Sequence, residues 1–145
     1  NFFFFIIGLV LSARGGLLTM LALPVKLMAG SAFGSGSQWQ SWIHISDLTL
    51  LIFECAKNSW KGIFNAVSPN PVSQRELIKG LGKVLNRPVF LPNIPSFIMK
   101  IFLGKRSILV LGSQKISSKL ILEKGFSFHF PTLESALEDI YNKKR

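Results

Sequence analysis

From residue 2 to residue 11 every position except Gly8 is apolar, and the run shows neither a two-residue nor a 3.6-residue period. A segment so rich in aromatic and β-branched residues predicts a strand buried on both faces, as in a parallel sheet covered by helices. Its sheet neighbours must then come from outside the run. Residues 12–16 predict a turn, and residues 17–28 an apolar helix interrupted at Pro24. After a glycine- and serine-rich loop, residues 42–45 alternate like a short strand. Ser46 and Asp47 then open a helix as N-cap and first-turn anion. Over residues 47–58, Leu48, Leu51, Ile52 and Cys55 repeat at helical spacing and predict the inward face.

Residues 62–67 predict a second strand, and the prolines of residues 68–71 a turn. Ser73-Gln74-Arg75-Glu76 has the pattern of a capping box. The helix it starts presents Leu77, Ile78, Leu81, Val84 and Leu85 inward. Gly80 and Gly82 weaken that helix by roughly 1 kcal/mol each relative to Ala, which predicts close packing against a neighbour. Arg87-Pro88 ends it, and Pro92 and Pro95 mark a joint dividing the chain into residues 1–91 and 92–145. Short helices follow at 96–103, 107–111 and 118–124, the last closed by Gly125. Residues 126–130 alternate like an edge strand. A final helix after Pro131-Thr132 carries Leu133, Ala136, Leu137, Ile140 and Tyr141 inward, with Glu134 in its first turn and the cations of residues 143–145 at its end.

At 145 residues the chain can bury a sizeable core. An apolar fraction of 48% together with a net charge of +10 is unusual. The combination points to a membrane surface, a nucleic acid, or an apolar face covered by something else. Residues 2–11 are too short to span a bilayer and lack the basic flank of a secretory signal. Extension to residue 27 would bury Arg14, Gly15-Gly16 and Pro24. The single Cys55 excludes an internal disulfide and fits a reducing, cytoplasmic compartment.

Little of the chain has the spacing of a chemical motif. His44 and His129 are far apart and no Cys-x-x-Cys occurs, so no metal is expected. Gly34-x-Gly36 lacks a third glycine and precedes a strand, whereas a dinucleotide turn follows one. A serine, His44 and Asp47 form a triad only on paper, without the Gly-x-Ser-x-Gly elbow. Arg75, Lys79 and Lys83 recur every fourth residue with Arg87 beyond; the stripe reads as a solvated helix face or as a phosphate-binding one. No interleaved aromatic supports base stacking there, so nucleic acid is not the expected partner. The 34–48 segment itself reads either as a ligand-cleft wall or as a tight turn with two core tryptophans.

Residues 34–48 (Gly-Ser-Gly-Ser-Gln-Trp-Gln-Ser-Trp-Ile-His-Ile-Ser-Asp-Leu) resemble the signature of an epimerase-like branch of the extended short-chain dehydrogenase/reductases. Residues 62–76 resemble the strand, turn and helix that follow in that branch. Residues 88–137, with Leu103-Gly104, Lys119-Leu120 and Gly125-Phe126, are similar to the small C-terminal domain of unknown function appended to these proteins. The resemblance implies an α/β fold. It would be the C-terminal part of an extended Rossmann-type protein, with few parallel strands and helices, followed by a small, mainly helical subdomain.

It also implies that the glycine-rich nucleotide turn and the catalytic Tyr-x-x-x-Lys pair lie upstream. The chain would be the substrate-side half of an NAD(P)-dependent sugar-epimerase-like oxidoreductase or isomerase, inactive alone. NADP or NAD would bind the full-length relative and not this half. By the resemblance, Gly8, Leu9, Val10 and Ser12 approach the nicotinamide, and Ser35, Gly36, Gln38, Trp39, Trp42 and His44 line the cleft of a small-molecule substrate. Three positions depart from the pattern. Ile6 replaces a usual arginine, Gln40 stands where nucleotide-sugar relatives carry an arginine, and Lys105-Arg106 replaces an acidic residue. Two rival readings remain: a basic module binding nucleic acid or anionic membrane, and a structural unit self-associating through its opening strand.

Overall fold

The computed structural model describes residues 2–142. The apolar opening run forms two strands, β1 (Phe3–Ile7) and β2 (Leu9–Leu11), parted at Gly8. The helix α1 (Gly16–Lys26) follows and runs through Pro24. Then come β3 (Trp39–Gln40), β4 (Trp42–His44), the helix α2 (Ile45–Lys57) and β5 (Gly62–Ala66). A short β6 (Val72–Ser73) leads into α3 (Gln74–Leu85). The remainder is helical: α4 (Ser96–Leu103), a 3-10 turn (Gly104–Arg106), α5 (Ser107–Leu111), α6 (Lys119–Glu123) and α7 (Leu133–Asn142).

The strand split has a packing cause. β1 pairs in parallel with β5, whereas β2 pairs in parallel with β4. Gly8 sits where the chain passes from one partner to the other. A Cβ there would lie 2.5 Å from the Ser41 carbonyl oxygen and 2.9 Å from Val67 Cγ1. Only a glycine lets the backbones approach that closely. The expectation of burial on both faces is met in β2 only at Leu11, which is fully buried while Leu9 and Val10 are half-buried, and it fails for β1, where Phe4 is 62% and Ile6 50% exposed. Among the described residues β1 has one strand partner, so its other edge is open.

Two apolar clusters hold the layers together. The larger joins Leu11, Leu18, Trp42, Leu77, Leu81, Met99 and Leu137, drawn from both sides of the proline-marked joint. The smaller lies under α2 and β5, around Ile43, Leu51, Cys55, Phe64, Ile121 and Phe126. On α2 the expected face is Leu48, Leu51 and Cys55. Ile52 instead lies outside the buried face, at 42% exposure, and Asp47 is buried in addition.

α3 forms with its capping box complete: Ser73 Oγ accepts from Glu76 N, and Glu76 Oε1 accepts from Ser73 N. Its two glycines serve contact. A Cβ on Gly80 would meet Leu137 Cδ1 at 3.1 Å, and one on Gly82 would meet the Arg87 carbonyl at 2.7 Å.

The alternating segment 126–130 is not a strand. Its Phe126 is buried, as the alternation required, but the His129 and Phe130 amides donate to Asp47 Oδ1 and Oδ2 at 2.9 and 3.0 Å. A carboxylate thus takes the donors that a neighbouring strand would have used. The cations of residues 143–145 lie outside the described residues.

Candidate substrate cleft

The glycine–serine loop turns on Gly34 (φ +58°) and Gly36 (φ +73°), left-handed values that favour glycine. The loop is then pinned from inside. Arg75 Nη2 donates to the Ser35 carbonyl at 2.6 Å, Gln38 Nε2 to the Phe33 carbonyl at 3.0 Å, and Arg75 N to the Gly36 carbonyl at 2.9 Å. From there the backbone enters β3, which pairs antiparallel with β6, a pairing the sequence did not announce.

Beyond the loop, a strap of chain from the helical part is bonded along residues 39–41. Trp39 N donates to Ser113 Oγ at 2.9 Å, and Gln114 N donates to the Trp39 carbonyl at 3.0 Å. Gln40 Nε2 donates to the Gly112 carbonyl at 3.2 Å. Ser41 Oγ donates to the Gln114 carbonyl at 3.0 Å and accepts from Ile116 N at 2.8 Å. On its other side the Ser41 carbonyl accepts from Leu9 N at 2.8 Å. Ser41 therefore couples β2 to the strap through one residue.

Between these parts lies a cavity of about 530 Å³. Gly8, Leu9 and Val10 form one wall; Trp39, Gln40 and Ser41 form another, and Ser113 and Gln114 close it. Trp39 is 37% exposed, and Lys115 Nζ stands 4.3 Å from its ring centroid, within cation–π range. Three of the four expected cofactor-side residues and one of the six expected cleft residues thus meet around one space. Ser12 is not among the lining residues; its hydroxyl accepts from Arg14 N at 3.1 Å. Ser35 and Gly36 shape the loop behind the wall.

Trp42 and His44 lie deeper. Trp42 is fully buried, and its indole N–H donates to the Asn70 carbonyl at 2.8 Å. The His44 side chain caps α2, where Ser46 was expected to do so: its Nδ1 accepts from Ser46 N at 2.9 Å. A ring nitrogen that accepts carries no proton, so Nε2 holds the hydrogen and donates to Asp139 Oδ2 at 2.9 Å. The ring also stacks on Phe130, with centroids 4.1 Å apart. Asp47 and His44 therefore have separate partners, and no triad forms between them.

Elsewhere charge is engaged locally. Within the basic stripe, Arg75 holds the Ser35 loop, Lys83 pairs with Glu134 at 2.9 Å, and Arg87 Nε donates to the Lys26 carbonyl. The hydrogen bond to Glu134 raises the Lys83 pKa. Burial pushes the Cys55 thiol up, helped by the neighbouring Glu54 charge, and raises Tyr141 likewise. Among the described residues no group of three or more His, Cys, Asp or Glu could hold a metal ion.

Sequence reasoning missed the strap. Its trace is the short polar run Gly112-Ser113-Gln114 after an apolar helix, too brief to signal a pairing.

With β1 paired in parallel to β5 and β2 to β4, the mixed α/β fold resembles the C-terminal part of Rossmann-type epimerases and short-chain dehydrogenases. Residues 94–140 match the family model described as Domain of unknown function (DUF1731). The chain is 43% identical to the Arabidopsis thaliana epimerase family protein SDR39U1 homolog, chloroplastic, over 92% of its own length and 39% of that protein. The crystal structure of human epimerase family protein SDR39U1 (isoform 2) with NADPH superposes with a TM-score of 0.90 at 32% identity, over 97% of this chain and 48% of that one. A nucleoside-diphosphate sugar epimerase from Corynebacterium glutamicum gives a TM-score of 0.70 at 28% identity, over 96% and 25%. The chain is thus similar to epimerase family proteins over most of its own length, and its residues 94–140 match the DUF1731 model. It spans less than half the length of these relatives.

Proposed function

We propose that this chain is the substrate-side portion of an NAD(P)-dependent, epimerase-like oxidoreductase or isomerase, and that it does not turn over alone. One observation carries the reading: Gly8, Leu9 and Val10, the residues assigned to the nicotinamide side, share a cavity of about 530 Å³ with Trp39, Gln40 and Ser41. Support comes from the human relative, solved with NADPH. The 145 residues hold neither a glycine-rich nucleotide turn nor a Tyr-x-x-x-Lys pair. The bound nicotinamide would exchange hydride with the substrate.

This chain's own residues would do the positioning. Gly8 to Val10 present a flat backbone wall to the ring. The Trp39 face would orient a small substrate against it, while the Gln40 and Ser41 side chains, bonded to Gly112, Gln114 and Ile116, hold that wall in place and the strap at residues 112–116 excludes water. A cytoplasmic setting suits the free Cys55 thiol. The open edge of β1 would take a further strand, from the nucleotide-binding half of the same enzyme or from a second copy.

The test is to join the chain to the nucleotide-binding half of a relative and follow NADPH oxidation with a panel of small carbonyl compounds. Turnover is expected, with Trp39→Ala lowering kcat/KM at least about tenfold while NADPH affinity stays unchanged. Fusion protein that binds NADPH and turns over equally with and without Trp39 would refute the cleft.

A further inference from the structure

α4 turns its Met99 into the core and leaves its outer face uncovered. Phe97 and Ile101, four residues apart on one side of the helix, are 65% and 74% exposed, and Phe102 beside them is 80% exposed. The helix is not loosely attached. Ile98, Met99 and Leu103 close with Met20 and Val25 of α1 around an apolar cavity of about 280 Å³. The outward side chains are therefore held in place on a fixed helix, as a ridge.

Cations surround the ridge. Lys100 lies within it, and Lys105 and Arg106 follow at its end, all exposed. Arg106 Nη1 sits 3.1 Å from Met20 Sδ, which places that charge at the lip of the same cavity. No Asp or Glu occurs between Glu76 and Glu123, while that stretch holds eight Lys and Arg. The ion pairs among the described residues join His44 to Asp139 and Lys83 to Glu134, and none involves the ridge cations. Lys105 and Arg106 have no part in the proposed cleft.

We propose that α4 and the turn after it dock on an anionic lipid surface. Aromatic and aliphatic side chains would enter the headgroup–acyl boundary, and Lys100, Lys105 and Arg106 would meet lipid phosphates. Charge selects this occupant over a second copy of the chain. A two-fold contact on the ridge would set the same three cations against themselves. None of the described helices is long and apolar enough to cross a membrane, so the contact is peripheral. The inference does not depend on the cleft or on cofactor binding.

The test is flotation of the 145-residue chain with vesicles of phosphatidylcholine, with and without phosphatidylglycerol. Co-flotation is expected only with the anionic lipid, weakening as salt is raised. Lys105→Glu with Arg106→Glu should lower partitioning by at least about tenfold, since each surface cation is worth roughly fivefold. Ile101→Ser with Phe102→Ser should abolish it while thermal unfolding is unchanged, because both side chains are exposed. The proposal is overturned by equal flotation with neutral and anionic vesicles, or by none with either. It is also overturned if light scattering shows a stable dimer that Phe102→Ser dissociates, which would make the ridge a protein interface.

Discussion

His44 and Asp139, 95 positions apart, meet at 2.9 Å, and the same imidazole caps α2 through its other nitrogen. One side chain thereby ties the end of β4, the start of α2 and the last helix α7, with Phe130 stacked on its face. His44→Ala removes a helix cap and leaves a half-buried carboxylate without this donor. A loss of about 2–4 kcal/mol is expected in urea unfolding. His44→Asn restores a good capping group and should recover about 1 kcal/mol of that. Equal losses for the two variants would show that the cap does not matter.

Asp47 makes a second long-range tie. Its buried carboxylate accepts from two successive amides, His129 and Phe130. Asp47→Ala should destabilise by roughly 2–4 kcal/mol, since two part-buried donors lose a charged partner. Hydrogen exchange at those two amides should accelerate more than exchange within α2. Unchanged protection there would assign the carboxylate no role beyond the helix dipole.

Gly8→Ala offers a sharp packing test. The added methyl would lie 2.5 Å from a backbone oxygen that cannot rotate away. The expected loss is about 2–4 kcal/mol, with exchange rising first at Leu9 and along the β2–β4 pair. Gly125→Ala is the control: the space around it is open and only its φ of +91° opposes a side chain, so about 1–2 kcal/mol is expected. Comparable effects at both sites would remove the close-approach argument.

Much of this architecture was legible in the sequence, and the misses share a cause. The capping box at Ser73, the close-packed Gly80 and Gly82, and the inward faces of α3 and α7 follow from local rules that the tertiary structure respects. The strand at 126–130 and the N-cap at Ser46 failed because a distant or neighbouring side chain claimed the backbone first: Asp47 in one case, His44 in the other. The strap on residues 39–41 was invisible for a related reason. Its hydrogen bonds link positions more than 70 residues apart, and nothing in Gly112-Ser113-Gln114 specifies a partner. Residues meant to face a ligand, such as Trp42, carry the same composition whether they line a cleft or fill a core.

Cys55 supplies a pH test. Burial raises its pKa, so the folded state favours the neutral thiol. A raised folded pKa contributes stability that is complete below the ordinary thiol pKa and is lost as pH climbs through the folded value. Unfolding midpoints should therefore drop on the alkaline side, and a Cys55→Ala variant should lack this component. Iodoacetamide should label Cys55 in denaturant and spare it in the native chain. Rapid native labelling would mean the thiol is open to solvent.

Calorimetric titration of NADPH into the 145-residue chain bears most directly on the division of labour proposed for it. No saturable heat should appear, and saturable binding should arise once the nucleotide-binding half of a relative is joined to β1. Tight, saturable binding to the chain alone would contradict the reading of it as the substrate side of a larger enzyme.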